Sequence, residues 1–277
     1  MRGSNTPQPS VVVGIDGSQA AIQAAEWAVD EAVSREVPLR LVEVIAERVE
    51  PAPFASVGNV RMEVEYAETA LRIAAAAVAA AGKPVKVETV SLRGNPATAL
   101  IAESRNAGMV CVGSTGIGRF AKALLGSTVA ELAEAAHCPV AIIRTQQSRP
   151  KPDSALIVVA VNDSPGNDDV VEQAMIEAQL RHAPVLALGV WRDDLGEMPS
   201  DELDRRVQFW ERRYPSVKIH AAATRTGIAD FLAVMSDRRI QLAVIGNSDT
   251  DQVARLIGPH RHPILGHAEC SVLIVRS

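Results

Sequence analysis

Glycine and hydroxyl residues are concentrated between residues 113 and 128, where they could bind phosphate. Gly113 and Gly116 allow the backbone to approach an anion closely and to adopt positive φ. Gly126, Ser127 and Thr128 stand where a helix is predicted to begin. The free N–H groups and the positive dipole end of such a helix attract phosphate. This spacing predicts a loop that cradles phosphate groups.

Further polar side chains surround the predicted loop. Ser114, like Ser127 and Thr128, carries a hydroxyl that could donate a hydrogen bond to a phosphate oxygen. Arg119 and Lys122 could add positive charge at the rim, although such side chains are more often solvated loop charges. A glycine-rich turn after a strand is common in itself. The longer array of glycines and hydroxyls at the end of the fourth predicted strand favours phosphate binding.

A second polar loop, Asp16-Gly17-Ser18, follows the first apolar strand. In open parallel α/β sheets, ligands bind beyond the carboxyl ends of the strands, where the strand order reverses. Asp and Ser are ordinary turn residues, so Asp16 could simply cap the turn that follows it. Its position at the carboxyl edge of the sheet favours contact with a ligand.

The first half of the chain alternates β-branched runs with helical patterns. Ser18 is a helix N-cap, and Gly82 ends a long Ala-rich helix. The predicted strands cover residues 11–15, 39–45, 85–92, 109–112 and 140–143, and the predicted helices begin at Ser18 or cover residues 63–81, 97–107 and 128–136. An irregular stretch is predicted at 46–60. Strands separated by crossover helices predict a five-stranded parallel sheet with helices on both faces, which is a doubly wound α/β domain.

The second half repeats this order. Residues 155–161 and Asn162-Asp163-Ser164 echo residues 11–15 and Asp16-Gly17-Ser18. The remaining matches pair 184–190 with 38–44, 227–249 with 94–116, and 270–276 with 138–144. The stretch 145–154, which contains Pro, Ser and Gln, is the predicted linker. We therefore predict two tandem doubly wound α/β domains, at residues 8–145 and 155–277.

Composition and charge bound the function classes. The chain has 277 residues, which fits two domains of ordinary size. The formal net charge of -5, with no basic stripe, argues against nucleic acid and membrane surfaces as partners. Residues 1–8 are polar and carry no sign of a signal peptide, and no apolar stretch approaches membrane-spanning length. Cys111, Cys138 and Cys270 lie in or beside apolar runs, so we expect buried thiols and a cytoplasmic protein.

Motifs of several enzyme classes are absent from the sequence. There is no Gly-x-x-x-x-Gly-Lys-Ser/Thr, no Gly-x-Gly-x-x-Gly after the first strand and no Gly-x-Ser-x-Gly. His260, His262 and His267 lie near Cys270, but their spacing matches no usual zinc pattern. We therefore predict no catalytic residues and no metal site built from protein ligands alone.

The glycine-rich loop resembles that of the universal stress protein family, in its ATP-binding form. That family's loop reads Gly, two residues, Gly, nine residues, Gly and then Ser or Thr. Gly113, Gly116, Gly126 and Ser127 match this pattern in full. The VGIDGS segment at residues 13–18 and the HCPV segment at 137–140 are also similar to the family. The resemblance covers both halves and extends to the tandem-domain members of the family in actinobacteria.

The resemblance implies an adenine nucleotide α-hydrolase-like fold and an ATP site, with or without Mg²⁺. Adenine would lie between Val44 and Val112, and Gly94 would allow the nucleotide to approach closely. Asp16, in one loop with Gly17, would hold the ribose or a phosphate-bound metal. The residues that would cradle the phosphates are Gly113, Ser114, Thr115, Gly116, Gly126, Ser127 and Thr128.

The expected function is nucleotide binding rather than fast catalysis. No general acid or base converges on the predicted phosphates, so we expect little or slow hydrolysis and no enzyme. The resemblance implies a nucleotide-dependent regulator of stress response, growth or persistence that acts through an unidentified protein partner. Two alternatives stay open. An ATP-hydrolysing enzyme of the same fold would have only Arg119 and Lys122 as cations at the phosphates, and a nucleotide-free scaffold would bind no ATP at all.

The second half departs from the loop pattern. Gly246 stands where Gly113 does, but Asp249 replaces Gly116 and places a carboxylate where phosphate would bind. Pro259 removes a backbone donor near the expected helix start. Asp163 is expected to keep an acid in the first loop. We predict a second domain that has kept the fold and lost the nucleotide, although a different loop could still admit AMP or another ligand.

Each half also ends in a short apolar strand, at residues 140–143 or 272–275. Such a strand at a sheet edge invites pairing, and in the family these strands join domains in antiparallel fashion. We therefore predict that the two halves pair with each other or across a homodimer.

Overall fold

The computed structural model describes residues 9–46, 57–114, 126–144, 155–190, 200–234, 239–257 and 270–276. These residues form two compact units, one from each half of the chain. Thr115, Gly116, Arg119 and Lys122 of the predicted phosphate loop lie outside the described residues, as does Pro259 of the second half.

The first domain is a parallel sheet with helices on both faces, as the sequence predicts. Its strand order is β3-β2-β1-β4-β5, and its strand pairs are parallel. The elements are β1 (Ser10–Ile15), α1 (Gln19–Ser34), β2 (Leu39–Ile45), α2 (Val57–Ala80), β3 (Val87–Arg93), α3 (Pro96–Ser104), β4 (Ala107–Gly113), α4 (Ser127–Ala135) and β5 (Val140–Ile143).

Strand order reverses between β1 and β4. The chain runs outward from β1 through β2 to β3, then returns to place β4 on the other side of β1. Helices that follow strands on opposite sides of such a point cover opposite faces, which leaves a crevice at the carboxyl ends of β1 and β4. Both loops singled out in the sequence begin at this crevice.

Alanines allow α1 to pack closely on the sheet. The fully buried positions of this helix include Ala21, Ala25, Ala28 and Ala32, and α1 packs on both β1 and β4. Because alanine adds little bulk, the helix backbone can lie close to the strands.

Helix α2 begins earlier than predicted, at Val57 rather than at residue 63. Gly58 and Asn59 are poor helix formers, so local propensity favoured a loop there. Because α2 packs on β2, β3 and α1, tertiary packing outweighs that preference.

The second domain repeats the arrangement, with strand order β8-β7-β6-β9-β10 and parallel pairs. A 3-10 helix, Asn247–Gln252, follows the strand that corresponds to β4. The elements are β6 (Ala155–Val161), α5 (Asn167–Arg181), β7 (Val185–Val190), α6 (Ser200–Arg213), β8 (Ile219–Thr224), α7 (Ile228–Val234), β9 (Arg239–Gly246), α8 (Val253–Ile257) and β10 (Ser271–Val275).

The cysteines and the helices bear on the cellular location predicted from the sequence. Cys111, Cys138 and Cys270 are buried free thiols, as predicted. Across the described ranges, none of the helices combines the length and the apolar character that crossing a membrane requires. The cytoplasmic location stays a prediction.

Candidate functional site

The turn after β1 is held by its own side chains. Asp16 Oδ1 accepts a hydrogen bond from the Ser18 N–H at 2.9 Å, and Ser18 Oγ accepts one from the Ala21 N–H at 3.1 Å. Gly17 lies between them at φ +81°, a conformation that favours glycine. Asp16 therefore caps the turn, the simpler of the two roles considered for it, and it does so at the carboxyl edge where a ligand would bind.

Tyr66 of α2 covers this turn and carries no motif that would have marked it in the sequence. Its hydroxyl donates to the Asp16 carbonyl oxygen at 3.2 Å. A Cβ atom at Gly17 would lie 2.4 Å from Tyr66 Oη. The turn thus needs glycine for two reasons, its positive φ and the tyrosine packed against it.

Gly113 is a packing residue, which corrects the expected reason for its glycine. Its φ is not positive, because it is the last residue of β4. A Cβ atom at this position would lie 2.6 Å from the backbone carbonyl carbon of Ala20 and 2.7 Å from Ala20 Cβ. Glycine therefore lets the first turn of α1 approach the end of β4, which brings the two loops of the crevice together.

Ser114 continues the strand ladder. Its N–H donates to the Ile143 carbonyl oxygen at 2.8 Å, and the residue is buried. This N–H is therefore used within the sheet, and the role predicted for the Ser114 hydroxyl stays a prediction.

Helix α4 begins without a side-chain cap. Gly126 occupies the N-cap position in an extended conformation (φ −58°, ψ 142°), and as glycine it supplies no side-chain cap. By contrast, Ser18 caps α1 and Asn95 caps α3. Ser127 is exposed and Thr128 is half-buried. The first N–H groups of α4 thus receive no hydrogen bond from the N-cap side chain, and such groups at a helix start suit an anion.

The predicted adenine contacts differ from each other in exposure. Val112 is buried, and a Cβ atom at Gly14 would lie 3.2 Å from its Cγ1 and 2.9 Å from Leu100 Cδ1. Val44 is half-buried, one residue before the end of β2. Val44 is therefore accessible to a ligand, whereas Val112 mainly supports the floor under the crevice.

Gly94 opens space at the end of β3. Its φ is +128°, and a Cβ atom there would meet nothing within 4 Å. Its N–H donates to the Ile45 carbonyl oxygen at 3.0 Å, which ties it to the end of β2. Among the described residues, no atom occupies the space in front of Gly94 at the end of β2, which suits close approach of a ligand.

Glu43 is a further residue of this edge that the motifs did not indicate. It is paired with Ile15 across β1 and β2, and the residue is 7% exposed. Burial raises the pKa of its carboxyl group from 4.5 to about 7, and the charge of Asp16 adds to this rise. The signal in the sequence was a single acid within the apolar run of β2.

A metal site made of protein ligands alone is not found in the part of the chain that the structure describes, where no group of three or more His, Cys, Asp or Glu residues could hold an ion. Asp16 supplies one carboxylate at the crevice. Since Mg²⁺ is often held by one or two carboxylates together with substrate phosphates, this donor set fits a metal carried by a nucleotide.

The turn after β6 in the second domain corrects one expectation. Asn162 Oδ1 accepts from the Ser164 N–H at 2.9 Å, just as Asp16 accepts from Ser18. The counterpart of Asp16 is therefore Asn162, and Asp163 stands in the place of Gly17. The second domain does not keep the acid at this position.

Arg206 of α6 fills the place that Tyr66 occupies in the first domain. It donates to the Asn162 carbonyl oxygen at 2.8 Å, to Asn167 Oδ1 at 3.1 Å and to Asp168 Oδ1 at 2.8 Å. Its side chain is 17% exposed. The turn after β6 is thus closed by a cation of the protein itself.

Gln252 occupies the space in front of Gly227. Its Oε1 accepts from the Ala229 N–H at 3.2 Å, and its Nε2 donates to Asp249 Oδ1 at 3.1 Å. A Cβ atom at Gly227 would lie 2.5 Å from Gln252 Oε1. Gly227 corresponds to Gly94, so the space that is open in the first domain holds a side chain in the second.

Comparison with known proteins agrees with the repeated fold. The model of the universal stress protein family matches residues 9–144 and again residues 156–276. A universal stress protein of Mycobacterium tuberculosis is 52% identical over 277 residues, which is the full length of both chains. One of Mycobacterium bovis is 30% identical over 292 residues and covers 97% of each chain.

A solved structure shows the same fold. The crystal structure of a universal stress protein from Archaeoglobus fulgidus superposes with a TM-score of 0.69 and 19% identity, over 97% of this chain and 96% of that one. The family match covers nearly the whole chain in two copies, and the two mycobacterial relatives match it over nearly their full length. This chain therefore belongs to the universal stress protein family, and it carries two tandem copies of the family's domain.

Proposed function

We propose that the first domain binds ATP at the carboxyl ends of β1 and β4. The observation that carries this proposal is the uncapped start of α4 at Gly126. It ends a Gly-x₂-Gly-x₉-Gly-Ser pattern that begins at Gly113. A helix N-terminus without a capping side chain at its N-cap, preceded by a glycine-rich sequence, suits the phosphates of a nucleotide.

The rest of the crevice suits a nucleoside. Val44 is accessible beside the open space at Gly94. Asp16 lies between this space and the start of α4, where a carboxylate can accept from ribose hydroxyls or hold a phosphate-bound Mg²⁺.

The nucleotide acts in this proposal as a regulatory ligand with little turnover. Of the two acids at this edge among the described residues, Asp16 already accepts from the Ser18 N–H through Oδ1, and Glu43 is buried. Fast hydrolysis requires a positioned base and cations at the phosphates. A steady-state assay of phosphate or pyrophosphate release at ordinary enzymatic rates would instead favour the ATP-hydrolysing alternative.

Nucleotide binding stays with the first domain in this proposal. Arg206 and Gln252 fill the two places in the second domain that a ligand would use, and Asn162 replaces the acid. We expect one ATP per chain.

Calorimetric titration of ATP into the full chain tests this stoichiometry. We expect one site in the wild type, and loss of that site in a Gly126→Ala/Ser127→Ala double variant. Ser248→Ala is the matched control, because it removes an exposed hydroxyl from the corresponding loop of the second domain. Two sites would show that the second domain also binds nucleotide, and no binding by the wild type would favour the scaffold alternative.

We further propose that the chain forms a homodimer and that bound nucleotide makes this homodimer competent to bind a regulated protein partner. A ligand that binds only the folded form also stabilises it by mass action. Light scattering with and without ATP measures the assembly, and a monomer under both conditions would exclude the homodimer.

A further inference from the structure

Glu43 is an acid in an apolar setting at the carboxyl edge of the first sheet. Residues paired in a parallel sheet share a face, and Glu43 is paired with Ile15. The next position of β4 on that face is Gly113, against which α1 packs. Glu43 therefore lies on the face covered by α1 and α2, behind the crevice rather than within it.

Its carboxylate has no compensation there. Oε2 is buried and has no hydrogen-bond partner in the described part of the chain. The elements β1, α1, α2 and β3 pack against β2. Their titratable residues are Asp16 after β1, Glu26, Asp30 and Glu31 on α1, Arg61, Glu63, Glu65, Tyr66, Glu68 and Arg72 on α2, and Glu88 and Arg93 on β3. Arg40, the cation of β2 itself, is paired with Glu88 and Glu103.

Among these groups, the charge of Asp16 is the one that acts on Glu43, and it is repulsive. A buried acid with no partner and an anion nearby retains its proton, since the charged form loses its hydration without a replacement. The raised pKa of Glu43, about 7, agrees with this chemistry.

We propose that Glu43 makes nucleotide affinity depend on pH: the protonated side chain permits phosphate binding beside Asp16, and the ionised side chain opposes it. This inference rests on the proposed ATP site in the first domain. Bound phosphates add negative charge near Asp16, so they favour proton retention by Glu43. By linkage, ATP then binds more weakly as pH rises through 7.

The second domain has no equivalent of this acid. Ile15 is paired with Glu43, and its counterpart Val161 is paired with Gly189. The acid thus occurs in the domain with the open crevice and is missing from the domain whose crevice is filled.

Calorimetric titrations of ATP at pH 6, 7 and 8 test the proposal on the wild type and on Glu43→Gln, a neutral isostere. We expect wild-type affinity to fall by roughly three- to tenfold more than that of Glu43→Gln between pH 6 and pH 8. Because the phosphates of ATP titrate equally in both experiments, the difference isolates Glu43. Glu65→Gln, an exposed change on α2, should match the wild type.

Parallel pH profiles for the wild type and Glu43→Gln would overturn this inference and leave the proposed ATP site intact. Absence of ATP binding at every pH would overturn both. If Glu43→Gln does not fold, Glu43→Met supplies a neutral side chain of similar length for the same comparison.

A measurement without ligand checks the proton itself. A carboxyl whose pKa is raised in the folded state binds a proton there that the unfolded chain releases, so stability falls as pH rises from 4.5 to about 7. We expect the urea midpoint of the wild type to fall across this window relative to that of Glu43→Gln. Equal midpoints throughout would contradict the proposal whatever ATP does.

Discussion

The turns after the first strand of each domain share one side-chain hydrogen bond and are covered by different side chains. In the first, Asp16 accepts from Ser18, and the exposed tyrosine Tyr66 contacts the Asp16 carbonyl. In the second, Asn162 accepts from Ser164, and Arg206 binds the corresponding carbonyl. The hydrogen bond from the third residue to the first side chain is thus made by a carboxylate or by an amide, although Gly17 has a positive φ and Asp163 does not.

The two domains also differ in the space beside this turn. Space is free next to Gly94, whereas Gln252 occupies the space next to Gly227. Buried donors and acceptors need partners. In the second domain, Arg206 and Gln252 supply partners at these two places.

The largest difference in stability between corresponding variants is expected at Gly113, which ends β4, and at Gly246, which ends β9. Gly113→Ala would place Cβ 2.6 Å from the backbone of α1, whereas Gly246→Ala would place it 3.1 Å from Val170 Cγ2, a side-chain atom that can move. We expect a loss of about 3 kcal/mol for Gly113→Ala and about 1 kcal/mol for Gly246→Ala. Hydrogen exchange read by mass spectrometry reports the stability of each domain separately.

Equal losses for the two alanine variants would contradict this difference in packing. A ligand effect does not enter the comparison, because both measurements use the protein without nucleotide.

A smaller difference is expected for the side chains that cover the two turns. Arg206→Ala removes donors from Asn162 O and Asn167 Oδ1, and we expect it to destabilise the second domain by about 2 kcal/mol. The exposed Asp168 contributes little to this loss, since its side chain is 80% exposed. Tyr66→Phe removes one exposed hydrogen bond and should cost about 0.5 kcal/mol.

Urea unfolding of both variants, with domain-resolved hydrogen exchange, provides the measurement. A loss for Tyr66→Phe as large as that for Arg206→Ala would mean that Tyr66 holds the turn as firmly as the arginine does.

The smallest change in stability is expected when Asp16 is replaced by Asn and Asn162 by Asp. Asp16→Asn keeps the acceptor for Ser18, as Asn162 shows, so stability should change by less than about 0.5 kcal/mol. We expect ATP affinity to fall about tenfold, or about 1.4 kcal/mol, because a charged acceptor for the ribose or Mg²⁺ is lost. Asn162→Asp should create no second site. Calorimetry of both variants decides, and unchanged affinity in Asp16→Asn would remove Asp16 from the proposed site.

Periodic patterns predicted the fold well because each element satisfies its own local rules. Alternating β-branched runs and Ala-rich helices predicted two doubly wound domains. The cap at Ser18 and the helix start at Gly126 and Ser127 lie where they were expected. The start of α2 was wrong because packing on β2 and β3 outweighs the low helix propensity of Gly58 and Asn59.

The sequence by itself determined the repeat, the order of the strands along the chain and the loop spacing that ends at Gly126 and Ser127. These are properties of neighbouring residues, which composition and period record directly. Only the tertiary structure decided what lies across the crevice: α1 against Gly113, Tyr66 on Asp16, Arg206 on Asn162, and Glu43 without a partner. These relations join residues far apart in the chain, so no local pattern contains them. They depend on burial and contact, which exist only when the sheet and its helices are assembled.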